Sequence, residues 1–208
     1  MNSFSNGTKL ASSAQRNILR AACYFFLAFG ILFLGYAGFV LADSHRYQAL
    51  EIKKFEQAGR PAEPHLLLEG EVIGEIQVPR LGLTAIVVQG DSPASLRHAV
   101  GHMPKSALPG EWGNVALAGH RDTFFRPLRN IRVGDEIRLK SPQHSFAYLV
   151  ESIEVVAPTD IQVLEPSSGH DLTFITCFPF YYVGSAPKRF VVHAREVDRM
   201  AREEVARE

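Results

Sequence analysis

Cysteine is scarce in this sequence: two residues in 208, Cys23 and Cys177, with no C-x-x-C pair. That pattern argues against a disulfide framework and against a cysteine-based zinc site. An excess of one charge is also lacking, since Lys plus Arg and Asp plus Glu both number 22. No dense basic run occurs, which argues against nucleic acid as the main partner. There is no internal repeat, and beyond the first quarter of the chain little helical periodicity. The globular part therefore holds a single free thiol, Cys177, which calls for a chemical reason.

The first strong feature is apolar. Ala21–Ala42 runs 22 residues without a charge, about 33 Å of helix and enough to cross a bilayer core. A cleaved signal sequence is the rival, with Val40-Leu41-Ala42 as its cleavage site. Signal-sequence apolar cores span only about 7–15 residues, so an uncleaved anchor is expected. Cys23 stands at the start of the apolar run, not after it, and follows Arg20 closely, so it reads as an ordinary helix residue. Lys9, Arg16 and Arg20 flank one side, while Arg46, Lys53 and Lys54 lie among Asp43, Glu51 and Glu56 on the other. The short basic tail favours an N-terminus held inside.

Residues 1–20 are thus expected to be a cytoplasmic tail, 21–42 an anchor, and 43–70 a stalk. A short helix through Tyr47, Leu50, Ile52 and Phe55 would end at Gly59, Pro61 and Pro64. A folded domain over 71–195 follows, then a charged tail over 196–208, read as a solvated helix from Arg195 onward. Within the domain, Val72–Val78, Leu83–Gln89, Asn114–Ala118, Ile137–Lys140 and Phe146–Val156 read as strands. Ala94–Val100 reads as a short helix closed by Gly101. Many short strands between turn residues favour a closed or partly closed barrel.

Two further strands, Leu172–Thr176 and Arg189–Val192, flank a loop broken by Pro179, Gly184 and Pro187. Paired antiparallel, they bring Cys177 and Arg189 to one edge of the sheet. A cation beside a thiol favours the nucleophilic thiolate, or stabilises an oxyanion during acyl transfer. A proton-transfer group must come from elsewhere. Of eight histidines, His45 and His65 lie in the stalk, and His144 and His170 in polar turns. His98 and His102 have the i,i+4 spacing of a metal pair, but no Glu follows His98 and Gly101 interrupts the helix, so no metal is expected. His102 reads as a loop residue packed on Met103 or Trp112. His193 shares a strand face with Arg189, about 13 Å along it, and reads as a packed strand residue. His120 follows Gly119 at a strand end, where a catalytic base or a mere strand cap fits equally well.

At this point VALAGHRDTFF (115–125), LTFITC (172–177) and PKRFVV (187–192) resemble the three signatures of the sortases, bacterial membrane-anchored cysteine transpeptidases. GHMPKSALPGEWGN (101–114) is similar to the loop preceding their histidine strand. The resemblance covers residues 70–195, in order, and looks nearest to the class D type. It implies a mainly β fold, a closed eight-stranded barrel with short helices, and no cofactor. It also implies Cys177, His120 and Arg189 as catalytic residues. Ala118 and Thr176 match positions lining the substrate groove, and Val163 and Leu164 the loop that contacts the Leu-Pro part of the substrate motif.

The implied reaction cleaves an LPxTG-like C-terminal sorting signal of a partner protein through a thioacyl-enzyme. The acyl group passes to an amine of the cell envelope or of a pilin subunit. The catalytic domain would face outward from the cytoplasmic membrane. Asp122 is expected to steady its loop through Arg121 or Arg126. The aromatic run Phe178-Pro179-Phe180-Tyr181-Tyr182 would wall the groove or shield the thiol. A degenerate membrane-tethered binding module is the alternative in another class. An L,D-transpeptidase would need a serine-histidine-glycine run ahead of the cysteine, where Ile175-Thr176 stands. A redox sensor lacks a resolving cysteine in the same domain.

Overall fold

The computed structural model describes residues 13–57, 67–142, 144–160, 162–165 and 167–197. The chain divides between Asp43 and Ser44 into two compact units. The first contains most of α1 (Ser13–Gln57). Within that helix Asn17–Lys54 is long and apolar enough to cross a membrane by length and composition, and its apolar window is unburied. Phe25, Phe26, Leu32 and Leu34 are all more than 60% exposed. Such a surface is costly in water and unremarkable against lipid.

The second unit is a barrel built from β1 (Val72–Val78), β2 (Leu83–Gln89), β3 (Val100–His102), β4 (Gly113–Ala118), β5 (Glu136–Lys140), β6 (Ser145–Val156), β7 (His170–Phe178) and β8 (Lys188–Glu196). It closes in the order β1-β2-β3-β4-β7-β8-β6-β5. This is the mainly β, eight-stranded architecture that the resemblance implies. Two pairings are parallel, β2 with β3 and β4 with β7, and the others antiparallel. Alternation sets the interior: Val115 and Leu117 of β4, Leu172 and Phe174 of β7, and Val192 and Ala194 of β8 all join one buried cluster with Phe125 and Tyr148. Period-two side chains make this the only way to bury those residues together. β6 is one long strand that serves β5 with its first half and β8 with its second, with a register shift between Val150 and Ser152.

Several boundaries differ from the sequence reading. α2 spans only Pro93–His98, capped by Ser92, whose side chain accepts from Ser95 N. Val100 belongs to β3, because the parallel ladder on β2 offers it backbone partners that another helical turn would forgo. Arg195 and Glu196 complete β8 and do not start the tail, and Arg195 pairs with Leu149 and Asp171 across β6 and β7. Residues 198–208, like Gly59, Pro61 and Pro64, lie outside the described residues.

Residues 44–57, read above as the beginning of a stalk, form the last turns of α1 and lie against the barrel's outer surface. Ile86, Val88 and Ala99 form a second buried cluster there, packed by Tyr47, Ile52 and Val72. Gln48, 9% exposed, accepts from Ile86 N at 2.8 Å and donates to His98 O at 2.6 Å. Gln48→Ala is expected to cost about 1–3 kcal/mol, since it strips Ile86 N–H of its partner in a buried setting. Thermal unfolding followed by circular dichroism checks this, with a Tm several degrees lower expected.

Candidate active site

β7 runs between β4 and β8, and register fixes what stands beside what. On one side Cys177 is paired directly with Arg189. On the other, Ala118 is paired with Ile175 in the parallel ladder. Gly119 N then donates to Ile175 O at 3.2 Å, so the alignment persists past the end of β4. His120 follows Ala118 by two residues, as Cys177 follows Ile175 by two on the paired strand. Adjacent strands lie about 4.8 Å apart. Imidazole, thiol and guanidinium are thus carried to one rim on three neighbouring strand ends. Leu172 and Phe174 point into the core, so Cys177 takes the opposite, outer face. The thiol is free and half-buried, His120 is exposed, and Arg189 is half-buried. Arg189 Nη1 donates to Lys188 O at 3.1 Å and Ala186 O at 3.4 Å. A guanidinium has five N–H donors, so this leaves others for a ligand.

Two contacts lock the histidine strand to the cysteine strand. Thr176, immediately before the thiol, is 3% exposed and donates Oγ1–H to Gly119 O at 2.6 Å. Its side chain therefore faces inward, where it joins the residue before the cysteine to the residue before the histidine. The alternation Leu172, Phe174, Thr176 carried that signal in the sequence. Gly119 is required by space. A Cβ there would lie 2.7 Å from Phe125 Cδ2, and Phe125 is fully buried and stacked on Phe174 at 5.1 Å. The backbone closes a turn beneath, with Phe125 N donating to His120 O at 3.1 Å. His120 is thus held by a turn whose far end is sunk in the core.

The loop between β7 and β8 opens with a cis Phe178–Pro179 bond. Phe178 and Phe180 pack on Phe190, with centroids 6.2 Å and 5.1 Å away, while Tyr181, Tyr182 and Val183 are exposed. Arg121 Nη2 donates to Tyr182 O at 2.7 Å and Gly184 O at 3.0 Å. Arg129 Nη1 donates to Tyr181 Oη at 2.6 Å, with its charge 5.6 Å from that ring. Arg121 thus turns to this loop, in place of the Asp122 contact expected from the sequence.

The other anticipated residues scatter. Ala118 is half-buried at the end of β4. Val163 and Leu164 sit half-buried on a 3-10 turn, Gln162–Leu164, in the β6–β7 connection. That connection is tied to β4 by Asn114 Nδ2, 3.5 Å from Glu165 O. His193 lies between Thr173 Oγ1 at 3.2 Å and Glu154 Oε1 at 2.8 Å. No group of three or more metal-ligating side chains occurs among the described residues.

His102 is 1% exposed and ends strand β3, in place of the loop position read from the sequence. Its Nδ1 lies 2.9 Å from Gln89 Oε1, and its Nε2 lies 2.9 Å from Ala107 O and 3.0 Å from Ser106 Oγ. Burial depresses its pKa, outweighing the Ala107 carbonyl and the charges of Glu111 and Asp91. The unfolded chain then binds the proton first as pH falls below about 6.5, so stability declines from there toward the lower folded value. A Tm falling between about pH 7 and pH 5 is expected, with part of that slope removed in His102→Gln.

Fold and rim together define a cysteine acyl-transfer site: a thiol, a candidate acid–base and a cation on one barrel edge. The sortase domain model matches residues 76–197, over half of the chain. The chain belongs to the sortase family, the cysteine transpeptidases. Sortase D of Bacillus subtilis (strain 168) is 29% identical over 190 residues, spanning 83% of this chain and 96% of that protein. The chain is class D-like. The structure of sortase E from Streptomyces avermitilis is similar at 29% identity with a TM-score of 0.55, over 63% of this chain and 91% of that one. A Clostridium perfringens Sortase D5 transpeptidase shares the fold, with a TM-score of 0.63 at 24% identity over 74% and 98% of the two chains.

Proposed function

We propose that this sortase cleaves an LPxTG-like sorting signal near the C-terminus of partner proteins and transfers the acyl group to an amine of the cell envelope or of a pilin subunit. The observation that carries the reading is the register of β7, which sets Cys177 directly opposite Arg189 and pairs Ile175 with Ala118, two residues before His120. In the first step Cys177 Sγ, as thiolate, attacks the carbonyl carbon of a Thr–Gly-type bond. Arg189 donates to the developing oxyanion. The C–N bond breaks as His120 gives its proton to the departing amine, leaving a thioacyl-enzyme. In the second step an incoming amine attacks the thioester, His120 accepts its proton, and the thiolate leaves. Ala118 would line the groove, and Val163 and Leu164 would contact the Leu-Pro part of the motif. Thr176 contributes from within by holding Gly119. No cofactor is needed for this sequence of steps.

The α1 helix supports a single-pass protein of a bacterial cytoplasmic membrane. The basic residues before Ala21 favour an internal N-terminus and an extracytoplasmic catalytic domain.

The test uses the full chain in detergent micelles with a fluorogenic LPxTG-type peptide, with and without an added amine. Cleavage together with an amine-ligated product supports the transpeptidase. Inactivity on the peptide, with preferential labelling of Cys177 by a methanethiosulfonate that depends on His120, would keep the chemistry and reject the motif. Absence of both would leave the binding-module reading.

A further inference from the structure

The catalytic rim is formed by two segments that share no strand: the turn carrying His120, and the β7–β8 loop that joins Cys177 to Arg189. What holds one against the other is decisive for the chemistry, because β4 ends at Ala118 and gives His120 no ladder of its own. Arg121 spans the gap. One guanidinium nitrogen, Nη2, donates to two loop carbonyls, Tyr182 O at 2.7 Å and Gly184 O at 3.0 Å. Its own backbone lies inside the turn that Phe125 N closes on His120 O.

We propose that Arg121 is a positioning residue for the reaction. It clamps the β7–β8 loop to the histidine turn, and thereby fixes His120 relative to the Cys177–Arg189 pair. The inference rests on the acyl-transfer reading above, and adds to it a residue that never touches the reacting atoms.

Three features support this. The contact is nonlocal, 61 and 63 residues in sequence, and it falls on the residue next to His120. The loop needs an outside tie. Tyr182 and Val183 are 48% and 95% exposed, so hydrophobic burial does little to fix that stretch, and its carbonyls must find donors. The clamp is also incompletely satisfied, since Arg121 Nη1 is buried without a hydrogen-bond partner. A tie made through one arm holds the loop while leaving it able to release, which suits a site that must admit a peptide and then an amine. Arg129, bonded to the Tyr181 hydroxyl, steadies the same loop from farther along the turn.

The experiment compares wild type with Arg121→Ala, as full chains in micelles, by peptide kinetics and by backbone amide exchange over residues 120–125 and 179–187. The expected result is a kcat lowered about tenfold or more, with KM for the peptide within about threefold. Amides of both segments should exchange faster together, with a Tm within about 3 °C of wild type. Unchanged kcat, or exchange that rises in the loop while the histidine turn stays protected, would overturn the clamp. If wild type leaves the peptide uncut, that failure belongs to the substrate assignment. Amide exchange alone then decides, joint loosening supporting the clamp and any other pattern rejecting it.

Discussion

Cys177→Ala is expected to abolish peptide cleavage, and His120→Ala to lower kcat/KM by about a thousandfold or more, as loss of either group of a nucleophile–base pair does. Neither change should move the Tm by more than a degree or two, because neither side chain is in the buried cluster. Cys177→Ser should behave like alanine, since a hydroxyl is far less ionised than a thiol at neutral pH. The double variant Cys177→Ala/His120→Ala is expected to be no worse than Cys177→Ala alone. Two groups that act on one bond in concert do not contribute independently. Progress curves with the fluorogenic peptide, read beside thermal melts of the same samples, check all four. A His120→Ala variant that retained a tenth of wild-type activity would place the proton-transfer group elsewhere.

Gly119→Ala is expected to damage stability and activity together. The added carbon has nowhere to go: Phe125 Cδ2 would stand 2.7 Å from it, and Phe125 is held on its other side by Phe174. Relief requires either moving a fully buried ring or lifting the histidine turn off the barrel. The expected cost is about 1–3 kcal/mol of stability, as for other overpacked cores, together with a loss of activity of about a hundredfold if His120 shifts by an ångström. Phe125→Leu in the same chain removes the colliding edge. The double variant is then expected to be more stable than the sum of the two single losses predicts, a coupling that only residues in contact show. Thermal melts of the four proteins measure it.

The parts of this molecule that were plain in the sequence are those written locally. Leu172–Thr176 and Arg189–Val192 are β-branched or aromatic at most positions around a Pro- and Gly-broken loop. An antiparallel hairpin followed, and with it the Cys177–Arg189 pairing that the structure has. His120 was different. Its place beside Cys177 depends on parallel pairing of β4 with β7, which are separated by two whole strands. No local pattern encodes such a partner, and the residues alone left His120 no better than a strand cap. Only the family signatures pointed to it.

Other features escaped for equally physical reasons. β3 has three residues, one of them a glycine, and is too short to show a period of two. Gln48 sits among charged neighbours, and nothing in its surroundings announced a buried bridge to Ile86 and His98. The contacts of Arg121 and Arg129 with the loop arise from side chains long enough to cross between segments, which no sequence spacing reveals. Thr176 was expected to line the substrate groove, but it turns inward, continuing the alternation of Leu172 and Phe174.

The place of β7 between a parallel and an antiparallel neighbour also governs when the enzyme becomes active during its own maturation. Cys177 gains Arg189 by closing a hairpin, an early and nearly local event. It gains His120 only when β4 is docked, after the chain has bridged β5 and β6, and such distant contacts form late. A folding chain is therefore expected to carry the thiol before it carries the complete proposed site. Turnover in a refolding experiment should rise with the slowest structural phase and lag behind any signal from the hairpin. Transpeptidation is then expected to report barrel closure, since the proposed site is complete only when β4 and β7 are paired.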